Sequence, residues 1–365
     1  MRSEDFRTAV TEPRYASPEA PTSRAEGKKT PVSRKDLPKI VSLFSGAGGL
    51  DLGFKEAGFT ISVAIDAADA AIRTHKQNFS RTKAEVGDLV KLQPAGVVEL
   101  VKKTLQPGQA IAVIGGPPCQ GFSRANTGAL TSDPRNKLPK LYLQIVEALQ
   151  ALYTVEFIVF ENVLGIRDKK HAKTYKSLKD GIAGLGFDVT EKELCSADFG
   201  VPQNRRRIIL SGMRSGQGYS TVKPRKRKGL ETVQQAIGDL DPPAYFKHGL
   251  KPEDIPVHPN HWTMQPRSSR FDNPKVEAGN GRRSFKRLKW DAASPTVAYG
   301  HREIHVHPDG RRRLSIYEAL LLQGFPETFV LEGNLSEQVE QVSNAVPPPL
   351  ARSVACAVKL ALQGK

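Results

Sequence analysis

Short apolar runs alternate with segments of helical spacing over the first half of the chain. Strands are predicted for the runs KIVSL, TISVAID, AIAVIGG, FIVFENV and RRIILSGM, and helices for intervening segments such as LYLQIVEALQAL and KSLKDGIAGLG. Strands that alternate with helices favour a parallel sheet covered by helices on both faces. We therefore expect an α/β domain over residues 39–213.

The composition and the hydrophobic pattern of the chain change on both sides of this domain. Residues 1–38 mix both charge signs with Pro, Ser and Thr and have no apolar period, so they predict a disordered tail. From residue 214 the strand–helix alternation fails, and a smaller irregular domain is predicted over 214–330. Residues 331–365 end in an amphipathic pattern, which predicts a helix that returns to the first domain.

The charge is unevenly distributed. The net charge is +16, and residues 201–313 contain 23 Lys and Arg against 10 Asp and Glu, interleaved with aromatic residues. This concentration favours binding to a polyanion over a merely solvated surface. No apolar run is long enough for a membrane span or a signal peptide, so we expect a cytoplasmic protein without a membrane partner.

The three cysteines lack CxxC spacing, which argues against a disulfide framework and against a four-thiolate zinc site. Cys356 lies within the apolar run VACAVKLAL and is predicted to be in the core, whereas Cys195 fits either a core or a loop. Cys119 lies in GGPPCQGFS, on a proline-stiffened loop after a predicted strand. A loop of this kind presents ligands, so Cys119 is interpreted as a nucleophilic thiolate.

The segment FSGAGG follows the first strand and opens a helix, which is where an α/β sheet holds a nucleotide-like ligand. Its glycines do not form a clean G-x-G-x-x-G motif, so a plain tight turn and a dinucleotide site are both alternatives. Two acids, Asp66 and Asp88, follow successive strands and can accept hydrogen bonds from ribose and adenine. This pair suggests S-adenosylmethionine rather than NAD.

The ordered motifs over residues 39–358 resemble those of the bacterial DNA (cytosine-5-)-methyltransferase family. FSGAGGLDLG resembles its cofactor loop, GGPPCQGFS its catalytic loop, DPRNKL the segment after it and FENVLGI its Glu-Asn-Val motif. QNRRRI, RRLSIYEALLLQGFP and SNAVPPPLA resemble its last three motifs in the family's order. The resemblance implies a Rossmann-like S-adenosylmethionine-dependent methyltransferase domain with a mainly parallel sheet, and a smaller basic target-recognition domain.

The resemblance also implies roles for individual residues. Cys119 would add to C6 of cytosine, Glu161 would bind N3 and the amino group of a flipped-out base, and Arg205 and Arg207 would hold that base and support the active-site loop. The expected cofactor contacts, which would also hold the product S-adenosylhomocysteine, are Phe44, Gly46, Gly48, Gly49, Leu50, Asp66, Asp88, Leu89, Pro117, Asn344 and Val346. The expected DNA contacts are Ser123, Arg124, Gln203, Arg267, Arg270, Arg282 and Arg283.

The expected partner is double-stranded DNA, bound by a monomer associated with the nucleoid, and a restriction endonuclease acting on the same site is a further candidate partner. No metal is expected, and the motif HREIHVH with His301, His305 and His307 is interpreted as a structural or DNA-facing loop. Nothing in residues 214–290 names the target bases. Lys226, Arg227 and Lys228 are expected to contact phosphates, and the stretch from residue 261 to residue 287 to read bases.

Three positions depart from the family's pattern and bear on cofactor affinity. Asp66 stands where Glu is usual, Ala67 where a bulky residue often stacks on adenine, and Ser343 where Gly is usual. Three alternatives are left open: the transfer-RNA-methylating branch of the superfamily, a non-catalytic DNA-binding relative, and an NAD-dependent oxidoreductase.

Overall fold

The computed structural model describes residues 37–118, 137–227, 229–272, 285–296, 298–299 and 303–364, which belong to one compact unit. The predicted tail therefore lies outside the described residues, except for Leu37 and Pro38, which are buried. Over the described residues, no helix is both long and apolar enough to cross a membrane.

A seven-stranded sheet forms the centre of the fold, with the strand order β3-β2-β1-β4-β5-β8-β6. The first five of these strands pair in parallel, and β8 pairs antiparallel with both β5 and β6. This arrangement confirms the prediction of an α/β fold with a mainly parallel sheet. The strands are β1 (Lys39–Leu43), β2 (Ile61–Asp66), β3 (Lys83–Val86), β4 (Ala110–Gly115), β5 (Thr154–Asn162), β6 (Phe187–Cys195) and β8 (Arg206–Arg214).

Helices cover both faces of this sheet. The α-helices of the described chain, apart from a short one beyond β8, are α1 (Gly49–Glu56), α2 (Asp69–Asn78), α3 (Leu89–Lys102), α4 (Leu138–Gln150), α5 (Ala172–Gly184), α7 (Ile316–Leu322), α8 (Leu335–Asn344) and α9 (Pro348–Leu362). One face packs against α3, α4 and α5 through side chains such as Val41, Val113 and Phe160. The other face carries Phe157, which stacks on Phe54 of α1 with ring centroids 6.1 Å apart. The alternating directions of neighbouring strand residues thus fill two separate cores.

Short elements occupy much of the chain between β8 and α7. They are β7 (Gln203–Asn204), α6 (Val233–Ile237), β9 (Ala244–Tyr245), β10 (Trp262–Thr263), β11 (Ser294–Pro295), β12 (Ala298–Tyr299) and β13 (Glu303–Ile304). Val233 and Ile237 of α6 join one apolar cluster with Leu320 of α7 and Leu52 of α1. Part of the segment predicted as a separate domain therefore packs on the first domain, and the domain boundaries stay predictions.

Two features of the structure differ from the sequence reading. Strand β6 was not predicted, because only its ends are buried and the sequence FDVTEKELC lacks a clear apolar alternation. The prediction that Cys356 lies in the core is wrong, since its side chain is exposed. Helix α9 buries Leu350, Ala351, Val354 and Val358 on one stripe, and residue 356 faces away from that stripe.

The backbones of α1 and α9 approach each other closely. A Cβ placed on Gly53 would lie 2.4 Å from Ala351 Cβ and 2.4 Å from the backbone nitrogen of Arg352. A Cβ on Gly49 would lie 2.3 Å from the carbonyl oxygen of Val346. Because the obstructing atoms are mostly backbone, a side chain at either glycine would push the two helices apart.

We expect Gly53→Ala to lower the free energy of unfolding by about 1–3 kcal/mol, because overpacking outweighs the better helix propensity of alanine. Gly184→Ala is the matched control, since Gly184 also lies in a helix and a Cβ there would meet nothing within 4 Å. The control is expected to be neutral or slightly stabilising. Urea unfolding measures both, and equal midpoints for Gly53→Ala and the wild type would contradict the close-contact argument.

Candidate functional site

A cavity of about 420 Å³ lies at the carboxyl ends of the parallel strands. It is lined by residues that follow β1, β2 and β4, by the end of β5, and by the segment that joins α8 to α9. The strand order reverses between β1 and β4, so the cavity occupies the crevice where open α/β sheets bind ligands. Of the residues implied for cofactor binding, Phe44, Gly46, Gly49, Leu50, Asp66, Pro117, Asn344 and Val346 line it.

The loop after β1 wraps one end of this cavity. Phe44 and Gly46 both have a φ of 53°, and Gly48 has a φ of 90°. Gly46 and Gly48 tolerate this left-handed geometry, whereas Phe44 adopts it at a cost in strain. Strain of this kind persists where the surroundings enforce it, which is common at ligand sites. The glycines therefore allow the backbone to bend around this end of the cavity.

A buried hydrogen-bonded chain supports the same loop from behind. Ser42 Oγ donates to Asp51 Oδ1 at 2.6 Å, and Asp51 Oδ2 lies 2.8 Å from His75 Nε2. All three side chains are almost fully buried, and His75 stacks on Phe79 with ring centroids 4.1 Å apart. A Cβ on Gly48 would lie 2.6 Å from the Phe79 ring, so the turn packs this closely on the stack only because residue 48 is a glycine. The sequence reading missed Asp51 and His75.

Asp66 stands at the end of β2 and faces the cavity. Its Oδ2 accepts a hydrogen bond from the backbone nitrogen of Gly46 at 2.8 Å, and its Oδ1 accepts one from Ala68 at 2.9 Å. Burial raises the pKa of the Asp66 carboxyl, and the two backbone hydrogen bonds oppose that shift. Each of its oxygens thus already binds the polypeptide itself.

Three residues implied for cofactor binding lie elsewhere. Gly48 packs against α2, as described above. Asp88 is the N-cap of α3 and accepts a hydrogen bond from the backbone nitrogen of Val90 at 2.9 Å. Leu89 is buried in the core between the sheet and α3. None of the three is among the residues that line the cavity in the described part of the chain.

A buried ion pair forms the opposite end of the cavity. Glu161, near the end of β5, accepts a hydrogen bond from Arg207 Nε at 2.8 Å. Both side chains are mostly buried, and burial raises the pKa of Glu161 while the charges of Arg207 and Arg205 lower it. A Cβ on Gly116 would lie 2.7 Å from Glu161 Oε2, so the catalytic-loop segment passes directly over this carboxyl. Burial outweighs the two arginines, so the pKa of Glu161 lies above the ordinary value of a glutamate.

The three consecutive arginines have three different environments. Arg205 is 1% exposed, and its Nη2 donates to the carbonyl oxygen of Ser343 at 2.8 Å. Arg206 points outward and donates from Nη1 to Glu193 at 3.0 Å. Arg207 turns back toward the cavity. Strand alternation at the start of β8 explains why only Arg205 and Arg207 line the site.

The catalytic-loop motif is described only in part. Gly115, Gly116, Pro117 and Pro118 line the cavity, and Asn162 Nδ2 donates to the carbonyl oxygen of Pro117 at 3.2 Å. Cys119 follows directly but lies outside the described residues, as do Ser123 and Arg124. The predicted nucleophile therefore comes immediately after a segment that borders Glu161.

Helix α8 supplies a wall that the sequence reading found only in part. Glu337, Glu340 and Gln341 line the cavity together with Asn344. These positions recur at helical spacing before the SNAVPPP motif, and this periodicity is a signal that could have found them. Gln341 Nε2 donates to the carbonyl oxygen of Glu332 at 2.8 Å, which fixes the helix against the preceding loop.

The predicted DNA contacts are placed unevenly. Gln203 is fully buried on β7, which pairs with β11, and its amide has no hydrogen-bond partner in the described structure. Arg267 is exposed, and Arg270 belongs to a short 3-10 helix, Ser269–Phe271. Arg282 and Arg283 lie outside the described residues. The base-reading role of these residues stays a prediction.

Other parts of the basic segment have structural partners. Trp262, at the start of the stretch proposed to read bases, is 8% exposed and packs near Phe246. Lys226 pairs with Asp198 at 2.8 Å on the surface, and Arg227 pairs with Glu231 at 3.5 Å. Exposed pairs are weak, so phosphates could compete for both cations. Lys228 lies outside the described residues.

The histidines of HREIHVH are bound within the protein where they are described. His305 Nε2 donates to the carbonyl oxygen of Thr296 at 2.7 Å. His307 Nδ1 lies 3.1 Å from Asp309 Oδ2. His301 lies outside the described residues, and among those described no group of three His, Cys, Asp or Glu side chains could hold a metal ion.

A buried histidine cluster joins the basic segment to α7. His258 stacks on Tyr317 with ring centroids 4.1 Å apart, and His261 Nδ1 lies 2.9 Å from Ser315 Oγ. The Nδ1 of His258 accepts a hydrogen bond from the backbone nitrogen of Asn260 at 3.1 Å. Burial, together with the nearby His261, lowers the pKa of His258 to about 4. A neutral His258 is therefore part of the folded state.

The fold and the cavity together define the class of this protein. The mainly parallel sheet, with a ligand crevice at its switch point, has the S-adenosylmethionine-dependent methyltransferase fold, as its match to a solved DNA modification methyltransferase shows. Residues 38–360 match the model of the C-5 cytosine-specific DNA methylase family, so the chain belongs to that family and is a DNA (cytosine-5-)-methyltransferase.

Individual relatives extend over most of the chain. The Type II methyltransferase M.MthTI of Methanothermobacter thermautotrophicus is 33% identical over 89% of this chain and 98% of its own. The Type II methyltransferase M.NmeDI of Neisseria meningitidis serogroup C is 31% identical over 93% of this chain and 86% of its own. A candidate DNA modification methyltransferase encoded within an E. coli prophage has a crystal structure that matches with a TM-score of 0.73 and 25% identity, over 90% of this chain and all of that one.

We expect Arg207→Ala to lower the free energy of unfolding by about 3 kcal/mol at neutral pH, because it leaves the buried carboxylate of Glu161 without its closest cation. Arg206→Ala is the matched control, since its ion pair with Glu193 is largely exposed and worth at most about 1 kcal/mol. Urea unfolding at pH 7 compares the two. Equal losses would mean that the Glu161 pair contributes no more than a surface contact.

The pH dependence of stability tests the buried His258. A lowered pKa in the folded state gives stability that is fully present above about pH 6.5 and is lost as the pH falls through about 4. Between these values wild-type stability should fall by up to about 3 kcal/mol more than that of His258→Asn, which keeps an acceptor for Asn260. Denaturant unfolding from pH 7 to pH 4 measures this difference, and parallel curves would contradict it.

Proposed function

We propose that this enzyme transfers a methyl group from S-adenosylmethionine to C5 of a flipped-out cytosine in a specific short duplex DNA sequence, through a covalent bond between Cys119 and C6. The observation that carries the proposal is the buried Glu161–Arg207 pair, which borders the segment that leads into Cys119. A carboxyl group with a raised pKa, beside arginines and a cysteine loop, is suited to a neutral ring that must be protonated.

The lining of the cavity fits the proposed cofactor. Asp66, Asp69, Glu337 and Glu340 surround the end near the glycine loop, and the only cationic residues among the described lining are Arg205 and Arg207, which belong to the Glu161 end. A pyrophosphate near the acids would be repelled, whereas a sulfonium and hydroxyl groups would be favoured. This distribution supports S-adenosylmethionine over the NAD alternative.

The residues of the chain would divide the chemistry as follows. The Cys119 thiolate adds to C6, and Glu161 donates a proton to N3, so that C5 becomes an enamine carbon. S-adenosylmethionine, when bound, supplies the electrophilic methyl group that this carbon takes. Solvent water then takes the C5 proton, the bond between Cys119 and C6 breaks to release the thiolate, and N3 returns its proton to the Glu161 carboxylate. The raised pKa of Glu161 supports the proton-donor role, because it makes this carboxyl easier to protonate than an ordinary glutamate.

Duplex DNA is the proposed substrate because the chain carries a basic segment beyond β8. The target cytosine must flip out of the duplex, because C5 and C6 are inaccessible in a stacked base pair. Arg267 is exposed in this segment, so its charge is accessible to DNA. Gln203 is buried and is therefore not accessible in the same way. The Type II names of the relatives M.MthTI and M.NmeDI support a cognate restriction endonuclease as partner. We further propose a monomer in the cytoplasm, bound to the nucleoid through DNA.

Two candidate substrates can be separated directly. The transfer-RNA-methylating branch shares the catalytic motifs, but the matched family is described as a cytosine-specific DNA methylase, which favours DNA. Methyl transfer from labelled cofactor to duplex DNA and to transfer RNA compares both substrates. Bisulfite sequencing of DNA from a host that expresses the chain would then identify the methylated sequence.

We expect DNA that contains 5-fluorocytosine to trap a covalent complex, because fluorine cannot leave C5 as the proton does. The adduct should migrate slowly on a denaturing gel, and it should require the cofactor. Cys119→Ser should form no adduct and should lose methyl transfer by at least about a thousandfold, because an alkoxide is far harder to form near neutral pH than a thiolate.

Cys195→Ser is the matched control for this experiment, since Cys195 is partly buried at the end of β6 and is not among the described cavity residues. The control should trap DNA like the wild type. Turnover by Cys119→Ser at the wild-type rate would remove Cys119 from the mechanism, and loss of the adduct in Cys195→Ser would reassign the nucleophile.

A further inference from the structure

Glu340 is a cavity-lining acid whose position suggests a specific task. It lies on α8, and the cavity that it lines also includes Asp66 and Ala67 from the end of β2. Its side chain is exposed rather than packed. In the described part of the chain, its carboxylate has neither an ion-pair partner nor a hydrogen-bond donor, so it is available to a ligand.

Asp66 alone has a reduced capacity to accept hydrogen bonds from a pair of hydroxyl groups. Its two oxygens already accept backbone hydrogen bonds from Gly46 and Ala68, which hold the short side chain against the loop. The next residue, Ala67, adds only a methyl group to the wall. A second hydrogen-bond acceptor beside Asp66 would allow this end of the cavity to bind both hydroxyl groups.

Glu340 and Asp66 line the same cavity, and the negative charge of Glu340 adds to the effect of burial in raising the pKa of Asp66. Two adjacent carboxylates repel each other, and a ligand that donates hydrogen bonds to both relieves the repulsion. A vicinal diol offers two such donors in a fixed geometry.

We propose that Glu340 is a cofactor-binding residue that accepts a hydrogen bond from the ribose hydroxyls, which it shares with Asp66. This inference rests on the proposed function, since it takes S-adenosylmethionine or its product to be the ligand of the cavity. It assigns the binding of the ribose to two elements, the end of β2 and helix α8, that are far apart in the sequence.

A thermodynamic cycle between residue and ligand tests the proposal by calorimetric binding, without any turnover. The ligands are S-adenosylhomocysteine, its 2′-deoxy and 3′-deoxy analogues, and an analogue that lacks the amino group. We expect Glu340→Ala to weaken binding of S-adenosylhomocysteine about tenfold, as for loss of a hydrogen bond to a charged group. At least one deoxy analogue should then bind the variant and the wild type almost equally.

The matched control is Glu332→Ala, which removes a nearby acid that does not line the cavity and should leave all wild-type affinity ratios unchanged. Glu340→Gln, which keeps the size of the side chain, should fall between alanine and the wild type. Thermal unfolding of each variant establishes that it is folded.

The possible outcomes separate this inference from the proposed function. The assignment of Glu340 to the ribose is overturned if the losses of binding free energy from Glu340→Ala and from each missing hydroxyl simply add. It is also overturned if Glu340→Ala is coupled only to the analogue that lacks the amino group. If the wild-type chain does not bind S-adenosylhomocysteine at all, the proposed function fails and the assignment fails with it.

Discussion

The cavity depends on the backbone contact between helices α1 and α9. Gly49 and Gly53 let α9 lie so close that a Cβ on either would fall within 2.4 Å of an atom of the C-terminal segment. This contact brings Asn344 and Val346 to the loop after β1, although about 300 residues separate them in the chain. Without this contact, the segment with Asn344 and Val346 would not line the cavity. An alanine would then fit at either glycine of α1.

A second constraint acts beneath the glycine loop. Asp51 is completely buried, and it is stabilised because its two oxygens bind Ser42 and His75. A buried carboxylate is tolerated only with such partners, so the chain from β1 through α1 to α2 is fixed as a unit. This rigidity explains how the left-handed Phe44 is maintained at the edge of the cavity. A loop that is fixed by such contacts loses less conformational entropy when it binds a ligand.

Much of this architecture was predictable from the sequence, for physical reasons that can be named. The strands β1, β2, β4, β5 and β8 are buried and apolar, so their positions followed from hydrophobic pattern. Strand β6 did not, because an edge strand with polar residues carries little pattern, and Cys356 was misplaced because an apolar run does not say which face of a helix is buried. Glu161 and Arg207 were found through motifs, since no periodicity predicts a pair that forms only when β5 and β8 align antiparallel. The hydrogen bonds of Asp66 and Asp51, and the presence of Glu340 in the same cavity as Asp66, depend on how separate elements pack, which a single sequence does not contain.

The charges of the site are arranged in opposition along one cavity. Acidic side chains surround the end near the glycine loop, and two arginines stand at the other end beside Glu161. The arrangement is costly, because burying Glu161 disfavours its charge and the arginines only partly compensate. Burial thus raises the pKa of a carboxyl group next to the segment that leads into Cys119, at a cost to the stability of the fold. A surface carboxylate would cost the fold less, but its lower pKa would make it a weaker proton donor to a ring nitrogen. In the proposed reaction, the unfavourable burial of the Glu161 charge is therefore what suits this residue to act as an acid.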